Sequence, residues 1–115
     1  MESILESIKT MLEISEGDTS FDTEVIMHIN GVFLDLQQIG IGPEEGFKIE
    51  DDLATWSDFI PDEPIWEAVK NYIHLNVKLV FDPPLSSAVI EVINRRIEKY
   101  EWRLREHAEL SKLNG

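Results

Sequence analysis

The stretch NYIHLNVKLVF, residues 71–81, decides how this chain folds. It is apolar nearly all the way round a helix, and a helix with no wet face must be surrounded by other elements. Asp82-Pro83-Pro84 stops it, because proline cannot continue a helix, and Leu85-Ser86-Ser87-Ala88 then opens a second, more charged helical pattern. The sequence therefore predicts a helical hairpin with one arm in the core and the other reaching outward.

Helical spacing also marks the elements around this hairpin. Within a single domain spanning 1–115, we predict four helices; they cover residues 2–13, 21–39, 64–81 and 86–110. Two of these helices carry clear apolar stripes with steps of three and four residues. The stripes are Val25, Ile29, Val32, Leu36 and Ile39, and Val89, Ile93, Ile97, Tyr100 and Leu104. Gly31 indicates close packing of the second helix, and Gly17 is expected to stop the first.

The segment between the second and third helices changes character. Phe47-Lys48-Ile49 alternates apolar and polar, and Glu50-Asp51-Asp52 is turn-like. We expect a short β-hairpin at about residues 46–57, which lies on the helices through Phe47, Ile49 and Trp56 or pairs with a neighbouring copy. The predicted fold class is mainly α: a four-helix bundle-like domain with a long C-terminal helix and this hairpin between helices 2 and 3.

Composition narrows the class of protein. The chain of 115 residues is 43% hydrophobic, which suits a folded globular domain. It has no cysteine, so no disulfide framework or thiolate metal site is expected. No run is long enough to cross a bilayer, and the first residues do not resemble a signal peptide. We expect synthesis in the cytoplasm and no membrane partner.

Charge is strongly asymmetric along the chain. The formal net charge is −13, and residues 1–60 hold 2 Lys and Arg against 14 Asp and Glu. Residues 95–112 hold 6 basic and 4 acidic residues, so the molecule has an acidic body and a mildly basic C-terminal arm. A protein that wraps nucleic acid needs a basic face, which this balance disfavours.

Candidate reactive groups do not form a site in the sequence. The three histidines are scattered over three predicted helices, without the convergent ligands that zinc needs; they are His28, His74 and His107. Asp18 to Asp22 resembles the opening of a calcium loop, but the required glycine and glutamate are missing, so helix capping explains it better. Glu50-Asp51-Asp52, with Asp62 and Glu63, is read as a solvated acidic turn rather than a cation or acid–base site. We expect no enzyme activity, no cofactor and no metal.

The best candidate surface lies on the final helix. Arginine and tryptophan are frequent in interface hot spots, and the arm is rich in both. The predicted partner interface comprises Arg95, Arg96, Lys99, Trp102, Arg103 and Arg105. The alternative is a solvated helix face with pairs such as Glu101–Arg105, with the tryptophan packed under the bundle.

The order of these segments is similar to that of a known family. Two amphipathic helices precede Ala54-Thr55-Trp56-Ser57-Asp58-Phe59, which is followed by Leu79-Val80-Phe81-Asp82-Pro83-Pro84 and a long last helix. This series resembles the head–tail connector (adaptor) proteins of tailed bacteriophages and prophages, from about Ile4 to about Leu104. The resemblance implies a structural virion protein that docks as a ring on the portal, extends the DNA channel and joins capsid to tail.

The resemblance also implies partners and a location. They are the portal protein, about twelve copies of the chain in a ring, a stopper or tail-completion protein, and DNA that only passes through the channel. The protein would reside in the neck of the virion after synthesis in the bacterial host cytoplasm. Two alternatives stay open on the sequence: a tail-completion or neck protein, and an acidic inhibitor of a host factor that mimics DNA.

Overall fold

The computed structural model describes residues 2–114, and the side chains of residues 2–113, so the two ends of the predicted domain, Met1 and Gly115, lie outside the described residues. The fold is mainly α, as predicted. Its five helices within this range are α1 Ile4–Met11, α2 Asp22–Ile39, α3 Trp56–Phe59, α4 Trp66–Phe81 and α5 Ser87–Asn114. A 3-10 turn, Glu63–Ile65, leads into α4, so the third predicted helix starts two residues later than expected, at Trp66.

Helix α4 is the central element. It contacts α1, α2 and α5, and its Val69, Ile73 and Val77 side chains are fully buried. The backbone N–H of Asp82 donates to the carbonyl of Lys78 at 2.9 Å, and the two prolines then prevent further helical hydrogen bonds. The predicted helical hairpin is confirmed, with α4 as its core arm and α5 as its outer arm.

The first two helices close over α4. Helix α1 is shorter than the predicted 2–13, because Ser3 caps it by accepting from the N–H of Glu6 at 3.2 Å. It ends before Glu13, which adopts a left-handed backbone with φ of 64°, so Gly17 is not its stop. Helix α2 begins at Asp22, one residue after the predicted start, and ends at Ile39 before Gly40, at φ of 101°. All five members of its predicted stripe are buried.

The predicted β-hairpin at residues 46–57 is wrong for the part of the chain described. Residues 47–49 form no strand, and Ile49 is held by a side chain instead: Asn30 of α2 donates to the carbonyl of Ile49 at 2.9 Å and accepts from its N–H at 2.8 Å. The second half turns helical, because Thr55 and Asp58 form a capping box that starts α3. The chain around Thr55 makes a single bridge, to Ser3.

The loop from α2 to α3 is nevertheless firmly packed. The rings of Phe33, Phe47 and Phe59 lie with centroids 4.7–5.3 Å apart. Gly42, at φ of 91°, sits against Phe59 so closely that a Cβ would collide with the ring. Trp56 is buried and its indole N–H donates to Ser7 Oγ at 3.1 Å. The expectation that Phe47, Ile49 and Trp56 would lie on the helices is confirmed.

Helix α5 spans 28 residues, about 42 Å at 1.5 Å per residue. It runs one turn beyond the predicted end at residue 110. Ile93 and Leu104 of its predicted stripe are buried, and Ile97 and Tyr100 are half-buried. Val89 is 46% exposed, so the stripe's first member lies outside the core. Residues 85–88 are exposed as well, so the first turn of α5 projects beyond the core.

Candidate partner interface

Four of the six predicted interface residues share one face of α5. Arg95, Arg96, Lys99 and Arg103 recur at helical spacing and line a shallow groove of about 400 Å³, together with Val92 and Tyr100. The guanidinium of Arg103 lies 5.6 Å from the centre of the Tyr100 ring, within the range of a cation–π contact. The aliphatic stems and Val92 give this cationic groove an apolar floor, which suits a protein partner.

The other two predicted residues, Trp102 and Arg105, lie outside this groove. Trp102 is 63% exposed and does not line the groove. Arg105 is exposed and its guanidinium lies 3.4 Å from the Glu101 carboxylate, which confirms the predicted pair. The alternative in which Trp102 packs under the bundle is therefore wrong, and the indole ring lies on the surface.

Most of the basic side chains that line the groove have no acidic partner among the described residues. Arg95 pairs with Glu91 one turn earlier. Among the described residues, no carboxylate lies within 4.0 Å of the charged groups of Arg96, Lys99 or Arg103. These three side chains therefore add no ion pair to the stability of the monomer. They form a free cationic surface.

The start of α5 adds an exposed apolar patch that the sequence reasoning missed. Val80 at the end of α4 is 60% exposed, and Leu85, Val89 and Val92 are at least 46% exposed. A contiguous exposed apolar patch marks an interaction site in soluble proteins. Two features of the sequence could have indicated this patch. Val92 lies off the α5 stripe, and Leu85 directly follows two prolines.

A second surface was also missed, on the outer face of α2. Met27 and Leu34 are 61% and 63% exposed, and with Phe47 of the following loop they line a groove of about 530 Å³. Gly31 lies between them, and a Cβ there would meet no atom within 4 Å. The predicted close packing at Gly31 is therefore wrong. The sequence could have indicated this surface, because Met27 and Leu34 are apolar, lie seven residues apart and do not belong to the buried stripe of α2.

The other candidate groups remain apart. His28 lies 3.7 Å from Glu24, His107 lies 2.9 Å from Asp62, and His74 is set between α4 and α1. No three His, Asp or Glu side chains converge as a metal site within residues 2–113. Asp18 accepts from the N–H of Ser20 at 3.0 Å, in keeping with a turn. No helix in the described part of the chain is long and apolar enough to span a membrane.

Comparison with known proteins identifies the family. A family model described as phage connector protein matches residues 4–111, which is nearly the whole chain. Comparison with curated proteins and with solved structures found no match. The family is one of structural phage proteins rather than enzymes, and its members are components of the virion. With its helical fold and its exposed cationic arm, the chain belongs to the phage connector protein family.

Proposed function

We propose that this protein joins the capsid of a tailed phage to its tail, by docking as a ring on the portal and extending the DNA channel. The observation that carries the proposal is the exposed face of α5 in a chain of the connector family. Its cations and Trp102 are exposed, and arginine and tryptophan are typical of interface hot spots. The proposed neighbours are the portal protein, about twelve copies of this chain, and a stopper or tail-completion protein.

The charge distribution supports a passive role toward DNA. Lys9 is 3% exposed and bound to Asp22, so Lys48 is the only cation of residues 2–60 that faces solvent. The surface of this part of the chain is therefore strongly acidic. An acidic surface does not neutralise phosphates, so DNA would pass through the ring without adhering to it. We place the protein in the neck of the virion, after synthesis in the host cytoplasm.

Electron microscopy of a lysate in which this gene is disrupted tests the proposal. We expect DNA-packaging heads and finished tails that remain separate, and joined particles when the wild-type gene is supplied from a plasmid. Heads joined to incomplete tails would favour a tail-completion role instead. Intact, infectious particles in the disrupted strain would overturn the connector role.

A further inference from the structure

The groove on α2 has the form of a docking site. Its floor is Met27, Gly31 and Leu34 on one helical face, and its wall is the loop segment 46–48. The two large side chains of the floor are more than half exposed, and Gly31 keeps the space between them open. Two exposed apolar side chains beside a groove offer a contact surface to an external occupant.

This groove is preformed. Asn30 holds the wall through two hydrogen bonds to Ile49, and Gln37 donates to the carbonyl of Glu44 at 2.8 Å. Phe47 is fixed from below by an edge-to-face contact with Phe33, with centroids 5.2 Å apart. A wall already held in place loses little conformational entropy when a partner binds.

The groove is bordered by negative charge. Glu24 and Asp35 lie on the same face of α2 as Gly31, seven residues before it and four after it, and both are exposed. Glu45 lines the groove and Glu44 precedes it in the chain, and both are exposed; Lys48 is the one basic residue among the lining side chains. An occupant that presents exposed apolar atoms among cations matches this pattern.

The α5 groove face of the same chain has that chemistry. We propose that Val92, Arg96, Lys99 and Arg103 of one copy dock on the α2 groove of a second copy, a contact that rests on the proposed ring. The two surfaces share no residue, so each molecule offers both at once. Such a head-to-tail contact is heterologous and closes into a ring when the rotation between copies allows it. Trp102 and Arg105, which do not line the α5 groove, stay free for the portal.

Site-specific cross-linking in assembled particles tests this contact. The chain has no cysteine, so cysteines can be introduced without a background. Leu34→Cys combined with Val92→Cys places one thiol on each surface, at positions that are 63% and 50% exposed. The matched control combines Leu34→Cys with Leu53→Cys, which is 78% exposed and lies on neither surface. Heads carrying each variant are treated with a short bis-maleimide and analysed on denaturing gels.

We expect a ladder of covalent oligomers from the Leu34→Cys and Val92→Cys variant, and none from the control. Joined particles without a ladder, equal ladders in both variants, or a cross-link from residue 34 to another protein would overturn the contact while the connector role stands. Absence of the protein from the particles would overturn the connector role, and the contact with it.

Charge exchange gives an independent readout. Arg96→Glu with Arg103→Glu is expected to lower the yield of rings by about tenfold or more, because like charges then face each other. Asp35→Lys with Glu45→Lys in the same chain is expected to restore most of that yield. Failure of the exchange to restore rings, with both variants folded, would contradict the pairing of these surfaces.

Discussion

Lys9 Nζ lies 2.8 Å from Asp22 Oδ1, and this ion pair joins α1 to the first turn of α2. The lysine is 3% exposed, and Glu6 adds a second carboxylate at 3.6 Å. The Asp22 hydrogen bond raises the pKa of Lys9 above its usual 10.5, so the pair contributes fully at neutral pH and is lost only as strongly alkaline pH passes the raised value. When one member of a buried ion pair is removed, the charge that remains is unpaired and strongly destabilises the folded protein.

Asp22→Asn is therefore expected to lower the free energy of unfolding by about 3 kcal/mol, because it leaves the buried ammonium with Glu6 alone. Urea denaturation at neutral pH measures the loss. The control is Lys9→Met together with Asp22→Asn, which removes both charges and is expected to cost less than the single variant. A double variant that is less stable than Asp22→Asn would show that the apolar stem of Lys9, not its charge, stabilises this junction.

Asn30→Ala tests how the chain after α2 is held. The change leaves the N–H and carbonyl of Ile49 without their partner, at a cost of about 1–3 kcal/mol. Faster hydrogen exchange across residues 46–50 is expected beside the stability loss. Gln37→Ala is the control, since it removes only one hydrogen bond, which is exposed. Equal effects of the two variants would contradict the assigned role of Asn30.

Val77→Asp tests the central position of α4. Val77 is fully buried, and an unpaired carboxylate there is expected to cost more than about 4 kcal/mol and to unfold the domain. Val80→Asp, nearly one turn later and 60% exposed, is expected to stay folded. Circular dichroism melts of the two proteins make the comparison, and a cooperative melt of Val77→Asp near the wild-type temperature would refute the core assignment.

His74 makes stability depend on pH. Its Nε2 is buried without a hydrogen-bond partner among the described residues. Burial, helped by Lys78 and only partly opposed by a hydrogen bond with the backbone of Met11, lowers the pKa of His74 below 6.5. Stability from the neutral ring is fully present above about pH 6.5 and is lost as the pH falls through the lower value of the folded state. The urea midpoint of the wild type is expected to fall between about pH 7.5 and pH 5.5. His74→Gln should show a smaller fall, and an equal fall in both proteins would assign the effect elsewhere.

Trp102→Ala separates folding from docking. Because the ring is 63% exposed, its loss is expected to change stability by no more than about 0.5 kcal/mol. As a hot spot it is expected to weaken binding to purified portal by about 2 kcal/mol, or roughly thirtyfold. Leu113→Ala, at 82% exposure on the same helix, is the control and should bind normally. Unchanged portal binding by Trp102→Ala would remove this face of α5 from the interface.

The sequence by itself determined the features that depend on local pattern. The run from residue 71 to 81, apolar all round, required neighbours on several sides, and Pro83 and Pro84 required the reversal that follows. The stripe of α2 was readable because helical period is a property of the segment alone. The exposure of the basic residues of α5 was also predictable, because charged side chains are rarely buried without a partner.

Only the tertiary structure decided what depends on distant residues. The alternation of Phe47 and Ile49 suits a strand pair equally well, and Asn30, nineteen positions earlier, supplies the hydrogen bonds instead. Val89 and Ile93 are alike by spacing, but only Ile93 has a neighbour to cover it. The α2 groove joins a helix face to a later loop, so no local pattern shows it. Burial and docking surfaces depend on which elements meet, and that is fixed by packing across the whole chain.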